Sequence, residues 1–240
     1  MEDRYINGKY WIDNKTLHQE DSNFKFRNLC TLIKRNHSIS LKGIVDIGCG
    51  AGKIIYNFSK DYPKIKCVGV DLSETIIKHA KLNNINPNLR YYTEKEFIRN
   101  EDDLNLVILA DVFEHVENYI GFLKEARSKY QYQLFNIPLD LSVRYLLNNR
   151  PLVTRASVGH LHYFHDKLIL KILEENGFKI IDYLYANNIE NELKKLKGFS
   201  KYIQLAKKYF QGLLVVIFGK SMASRIYGGY SLSVLCERHF

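Results

Sequence analysis

The segment Val45-Asp46-Ile47-Gly48-Cys49-Gly50-Ala51-Gly52 carries the strongest chemical signal in the chain. Glycines at alternate positions let a backbone turn tightly and come close to a ligand. A helix that opens in such a turn aims its unpaired N–H groups at that ligand. Asp71 follows about twenty residues later, where a carboxylate can accept both hydroxyls of a ribose. The combination describes a nucleoside-containing cofactor laid across the ends of two strands. The dinucleotide fingerprint G-x-G-x-x-G/A does not fit, because its third small residue would be Lys53 or, in the other frame, Ile55. A second group is His160, His162 and His165, with Tyr163 and Phe164 between them. Alternate spacing puts His160 and His162 on one side of an extended segment, as in a metal pair. No cysteine or clear carboxylate ligand accompanies them, so no metal is expected.

These groups need a scaffold to position them. Short apolar runs at 43–46, 66–71, 89–92, 104–109, 131–135, 179–185 and 230–236 read as strands. Between them, 22–35, 52–60, 73–83, 119–129 and 166–176 read as helices. Asp21 or Ser22 is the expected cap of the first helix and Ser73 of the third, since their side chains can accept from free N–H groups. Gly177 ends the helix before it. Continuous apolar strands alternating with helices indicate an α/β fold, with a parallel sheet covered on both faces. Residues 137–164 interrupt the alternation and read as a loop-and-helix insertion. No repeat, low-complexity tract or linker divides residues 1–240, so one domain is expected.

The D-x-G-x-G-x-G turn resembles the first motif of class I S-adenosylmethionine (SAM) dependent methyltransferases. Val70-Asp71-Leu72-Ser73 resembles their second-strand acid motif, and Ala110-Asp111-Val112-Phe113-Glu114-His115-Val116 the segment after their fourth strand in small-molecule members. Gly159-His160-Leu-His-Tyr-Phe164 and the helix ending in Gly177-Phe178 resemble their late region. The resemblance covers most of the chain. It implies a Rossmann-like, doubly wound, seven-stranded sheet, mostly parallel with the last strand antiparallel. Residues 1–40 would form a helical lid, 41–136 the SAM-binding core, 137–164 an acceptor-side insertion, and 165–240 a C-terminal part with a basic helical insertion at 190–228.

Residue by residue, Gly48, Cys49, Gly50 and Gly52 would pass the methionine part of SAM, and Asp46 would orient its amino group. Asp71 would hold the ribose, Leu72 would flank the adenine, and Asp111 and Val112 would line the cofactor near the methyl group. Thr93 and Glu94 both stand where an acid often reads the adenine. The product would be S-adenosylhomocysteine (SAH), with no metal involved. An alcohol acceptor needs a base. Histidine is the usual one because imidazole titrates near neutral pH. His115 is the first candidate base, and His160 the second, on the acceptor side with Tyr163. Thr16–Lys25 and the closing Gly228–Leu235 look like enzymes of bacterial capsule and lipopolysaccharide clusters, which would turn His18 toward the acceptor. The acceptor would be a sugar hydroxyl, nucleotide-activated, or a phosphorus oxygen as in an O-methyl phosphoramidate. A phosphorus oxygen is already anionic and needs cations instead of a base, for which Arg144 and Arg155 are candidates.

The chain has 240 residues, a net charge of +9 and four cysteines. One quarter of its residues are charged and nearly half are hydrophobic, which excludes general disorder. Cys30, Cys49, Cys67 and Cys236 show no C-x-x-C spacing, which argues against a disulfide scaffold or zinc module. The first residues lack the apolar core of a signal peptide, and no run is long enough to span a bilayer, so a cytoplasmic location is expected. The charge is concentrated. Eight cations between Asn191 and Arg225 face one acid, Glu192. A nucleic-acid acceptor is disfavoured because no Asn/Asp-Pro-Pro-aromatic motif follows the fourth strand and no cysteine follows a proline, although RNA stays open. A lipid-linked acceptor is the other alternative, since Leu213–Phe218 lies between lysines and would suit weak association with an anionic membrane surface. A SAM-binding protein without activity is a third. Gly50→Arg and Asp71→Ala are each expected to abolish SAM binding in calorimetry. Undiminished binding in both would sink the cofactor assignment.

Overall fold

The computed structural model describes residues 19–97, 103–187, 189, 193 and 196–239. Seven strands form one sheet: β1 (Gly43–Ile47), β2 (Lys66–Asp71), β3 (Leu89–Thr93), β4 (Leu106–Ala110), β5 (Tyr132–Pro138), β6 (Phe178–Ala186) and β7 (Ser231–Arg238). Their order is β3-β2-β1-β4-β5-β7-β6. Pairs from β3 through β5 are parallel, whereas β7 runs antiparallel to both β5 and β6. The mostly parallel, doubly wound sheet expected from the sequence is therefore present.

Its helices are α1 (Gln19–Arg35), α2 (Lys53–Asp61), α3 (Glu74–Asn83), α4 (Tyr119–Lys129), α5 (Val143–Leu147), α6 (Arg150–Ser157), α7 (Asp166–Glu175) and α8 (Phe199–Tyr227). Successive strand residues point to opposite faces. Ile44, Cys67, Leu106 and Leu134 thus join Leu29, Leu32 and Phe58 of α1 and α2 in one core. Val45, Val68, Val107 and Phe135 join Leu123 of α4 and Leu173 of α7 in the other. Both cores need apolar residues at consecutive strand positions, which is why the strands read as unbroken apolar runs.

The boundaries differ from expectation where side chains or tertiary partners intervene. Strand β4 starts at Leu106, and Asn105 before it ties to the segment leading into β1: its Oδ1 accepts from Lys42 N at 2.8 Å and its Nδ2 donates to Ser40 O at 2.7 Å. Strand β5 runs on to Pro138 because β7 pairs with it as far as Ser231. Asp21 and Ser22 lie inside α1 and cannot cap it. Ser73 does stand at the cap position of α3 in extended backbone, but its side chain makes no capping bond. The insertion folds into the short α5, capped by Ser142, and α6, with Pro151 in its first turn. His18 lies outside the described residues.

The glycine turn leads into α2 through Gly52, whose φ of 79° is left-handed. A Cβ there would also sit 2.5 Å from the Tyr91 ring. Gly52→Ala is expected to lose about 1–2 kcal/mol to the backbone alone, and more to displaced Tyr91. Urea unfolding measures this; a loss below that range would mean that the turn relaxes.

Candidate active site

The carboxyl ends of β1, β2 and β4 meet where the strand order reverses, between β1 and β4. In open α/β sheets this is where ligands bind. The turn after β1 is tied to β2: Gly48 and Cys49 N–H groups both donate to Val70 O, at 2.8 and 3.0 Å. Asp71 completes the tie. Its Oδ2 accepts from Gly50 N at 2.9 Å and its Oδ1 from Ser73 N at 3.0 Å. Burial raises the pKa of this carboxyl, against the pull of those N–H groups. Leu72 stands beside it, 45% exposed. Gly48, with φ of 73°, touches the segment after β4, for a Cβ there would lie 2.7 Å from Val112 Cγ2.

Asp46 is almost fully buried, and its Oδ2 has no hydrogen-bond partner. Burial, reinforced by the charge of Asp71, pushes its pKa up to about 8 despite the nearby Lys25 ammonium. Cys49 is driven well up by burial and by Asp71 and Asp46, so its thiol stays protonated and is no nucleophile.

The segment after β4 adds a second set. Asp111 has a left-handed φ of 56°. It accepts from Asn136 Nδ2 at 2.7 Å and is ion-paired with Lys25, which reaches in from α1. Burial alone would raise the Asp111 carboxyl, but Lys25 and the Asn136 hydrogen bond outweigh it and hold it below the ordinary value. Burial likewise opposes the Lys25 charge, and Asp111 more than restores it. Glu114 has no exposed surface and neither of its oxygens is hydrogen-bonded. Burial, then the charge of Asp111, raises it well above the carboxylate range.

His115 Nδ1 lies 3.2 Å from Gly159 O. A carbonyl only accepts, so Nδ1 carries the proton and Nε2 is the accepting nitrogen. Nε2 is 4.0 Å from Glu114 Oε1. The His160 ring packs edge-on against His115 at 4.8 Å, and its Nδ1 is 2.9 Å from Asp140 Oδ2, a charge contact without hydrogen-bond alignment.

The three histidines of the late segment thus part company. Only His160 joins His115. His162 bonds Val116 O and packs at a tilt against Tyr119, while His165 caps α7 by accepting from Leu168 N. Glu114, His115 and His160 place their ligand-type atoms within 4.8 Å of one another. The clamp expected of the arginines is not assembled. Arg144 lies 4.2 Å over the Tyr227 ring and donates to Tyr227 O, and Arg155 is exposed on α6. The Tyr163 hydroxyl donates to Pro151 O at 2.7 Å, with His160 O also near it at 3.1 Å, bracing the insertion. Sequence reasoning missed the roles of Lys25, Glu114, Asn136 and Asp140. The first two lie within segments it had singled out, but nothing local says that they meet.

Comparison with known proteins agrees with this geometry. A family model described as a methyltransferase domain matches residues 22–183. Malonyl-[acyl-carrier protein] O-methyltransferase of Bacillus cereus is 23% identical over 180 residues, covering 70% of this chain. An uncharacterised protein of Rickettsia prowazekii is 53% identical over 38 residues, 16% of this chain. The chain spans only 62% and 15% of the lengths of these two curated relatives. The SAH-bound crystal structure of magnesium protoporphyrin IX methyltransferase from Synechocystis shares the fold, with a TM-score of 0.55 and 16% identity over 94% of this chain and 85% of that one.

The raised Asp46 pKa has a measurable sign. Its folded value of about 8 lies above the ordinary 3.8, so the fold favours the neutral carboxyl. The stability tied to it is complete below the ordinary value and drains as pH rises through about 8. Asp46→Asn removes that drain. Compared with wild type, the ligand-free variant should gain in urea midpoint as pH rises across this window. Parallel curves would contradict the assignment.

Proposed function

The chain belongs to the methyltransferase-domain family, and on that premise we propose that it is a SAM-dependent O-methyltransferase acting on a hydroxyl of a small polar acceptor. SAM supplies a methyl group activated on a positive sulfonium, and it also carries an ammonium. The site suits a cation: the Asp46, Asp111 and Glu114 carboxyl groups all lie within reach of the Lys25 ammonium, and Asp71 lies beside Asp46. The unpartnered Asp46 Oδ2 is the fitting acceptor for the amino group. Asp71 takes the ribose and exposed Leu72 the adenine. The Gly48-Cys49-Gly50-Gly52 turn takes the methionine chain, with Asp111 and Val112 as the wall beside the methyl group.

The observation that carries the hydroxyl acceptor is the orientation of His115. Its Nδ1–H is held by Gly159 O, which aims the accepting Nε2 away from that carbonyl. A base so oriented is useful only for an acceptor that must lose a proton, and it contributes about 10²–10⁴-fold. His160, backed by Asp140, stands beside it to orient the acceptor or receive the proton. Burial raises the Glu114 carboxyl well above its ordinary value, so it places little negative charge beside the imidazole. An anionic phosphorus oxygen fits less well, because Arg144 and Arg155 are engaged or placed elsewhere and Lys25 is bound to Asp111. Among hydroxyls, the lid and closing segments favour a sugar, nucleotide-activated, in bacterial surface-glycan synthesis.

A panel of nucleotide sugars, free sugars and phosphorylated acceptors incubated with methyl-labelled SAM tests this. His115→Ala should lower turnover on the accepted hydroxyl by about 10²–10⁴-fold while SAM affinity in calorimetry stays unchanged. Undiminished turnover would remove His115 as the base and favour an anionic acceptor.

A further inference from the structure

A surface helix of a globular protein turns its apolar stripe inward. Helix α8 has a second apolar stripe turned outward. Its inner side is fixed by Gln211, whose Nε2 donates to Gly228 O at 2.9 Å, and by buried Leu214. Tyr202, Tyr209, Leu213 and Val216, at helical spacing, face solvent on the other side, with Ile217 and Phe218 beside them. Val216 is 84% exposed and Tyr202 72%. The helix bends at Gly219, where φ is 77° and ψ 167°, so the cluster of Val216, Ile217 and Phe218 stands at a corner. Contiguous exposure of this kind marks an interaction surface.

The charges say what covers it. Between Phe199 and Gly229 there are four lysines and Arg225, and no acid. Arg225 is engaged with Asp166, but exposed Lys201 and Lys220 flank the apolar stripe. A second copy of the same face would bring like charges together. An anionic lipid surface complements both the lysines and the apolar stripe. No helix among the described residues is long and apolar enough to cross a membrane, so α8 would lie in the interface. Through Tyr227 it leans on Arg144 of α5, in the insertion that also carries Asp140 and His160.

We infer that α8 is an interfacial anchor, seating this chain on anionic bilayers with its acceptor-side insertion near the headgroups. The docking itself does not depend on the methyl-transfer reading. Its test is sedimentation of the full chain with vesicles of phosphatidylcholine alone or mixed with phosphatidylglycerol. Binding is expected to the mixed vesicles, to be at least about tenfold weaker to neutral ones, and to weaken as salt screens the lysines. Val216→Glu with Ile217→Glu should abolish it while the melting curve stays that of wild type. Lys201→Gln with Lys220→Gln should weaken it and leave the apolar stripe intact. Absence of binding by wild type, equal binding to neutral vesicles, or retained binding by the Val216→Glu/Ile217→Glu chain would each overturn the proposal. So would a dimer in sedimentation velocity that this double variant dissolves while wild type ignores vesicles, which would assign the face to a second copy.

Discussion

Negative charge gathered in a buried place is the constraint on which this site depends. Asp46, Asp71, Asp111 and Glu114 lie at or just past the ends of β1, β2 and β4; burial raises three of them, while Lys25 and Asn136 hold Asp111 below its ordinary value. Lys25 reaches in from α1 and is the main group that offsets Asp111. Its ammonium secures Asp111 as a charged group and leaves Asp46 and Glu114 largely neutral. A cationic ligand would relieve that imbalance, whereas an anionic one would aggravate it. The gathering of carboxyl groups is thus suited to a cationic ligand, apart from any likeness to other proteins.

The sheet makes such a gathering possible. Parallel strands bring their carboxyl ends to one edge, and the reversal between β1 and β4 leaves a crevice there. The Asp71 carboxylate ties the turn after β1 to the end of β2 by accepting from the Gly50 and Ser73 N–H groups. It is structural, because it fixes the shape of the turn. The left-handed turn residues have no side chains to obstruct the approach.

The acceptor side is built on different terms. Its polar groups come from the segment after β4 and from the insertion, joined by the His115–Gly159 and His160–Asp140 contacts. The insertion is braced by Tyr163 and, on its outer side, by Arg144 against Tyr227. The arginines that looked like an anion clamp thus connect the insertion to α8 or face solvent. This places the basic, outwardly apolar α8 against the insertion.

How much of this was legible in the chain follows from the range of each cause. Strand and helix identity depends on period-2 and period-3.6 apolar patterns within a few residues, so β2 and α4 fall where the pattern puts them. The glycine turn and Asp71 were readable because turn geometry and the strand-end acid are local to one strand–turn–helix unit. The extension of β5 was not, since a strand's length depends on its partner β7. Nor were the Lys25–Asp111 pair, the burial of Glu114, the tautomer of His115 or the separation of His160 from His162. Each is set by groups distant in sequence, and both desolvation and Coulomb energy depend on what packs nearby. The sequence by itself determined the sheet, the turn and the cofactor class. Only the tertiary structure decided which ionisable groups share a low-dielectric space, and therefore which hold charge, which hold protons, and which simply brace the fold.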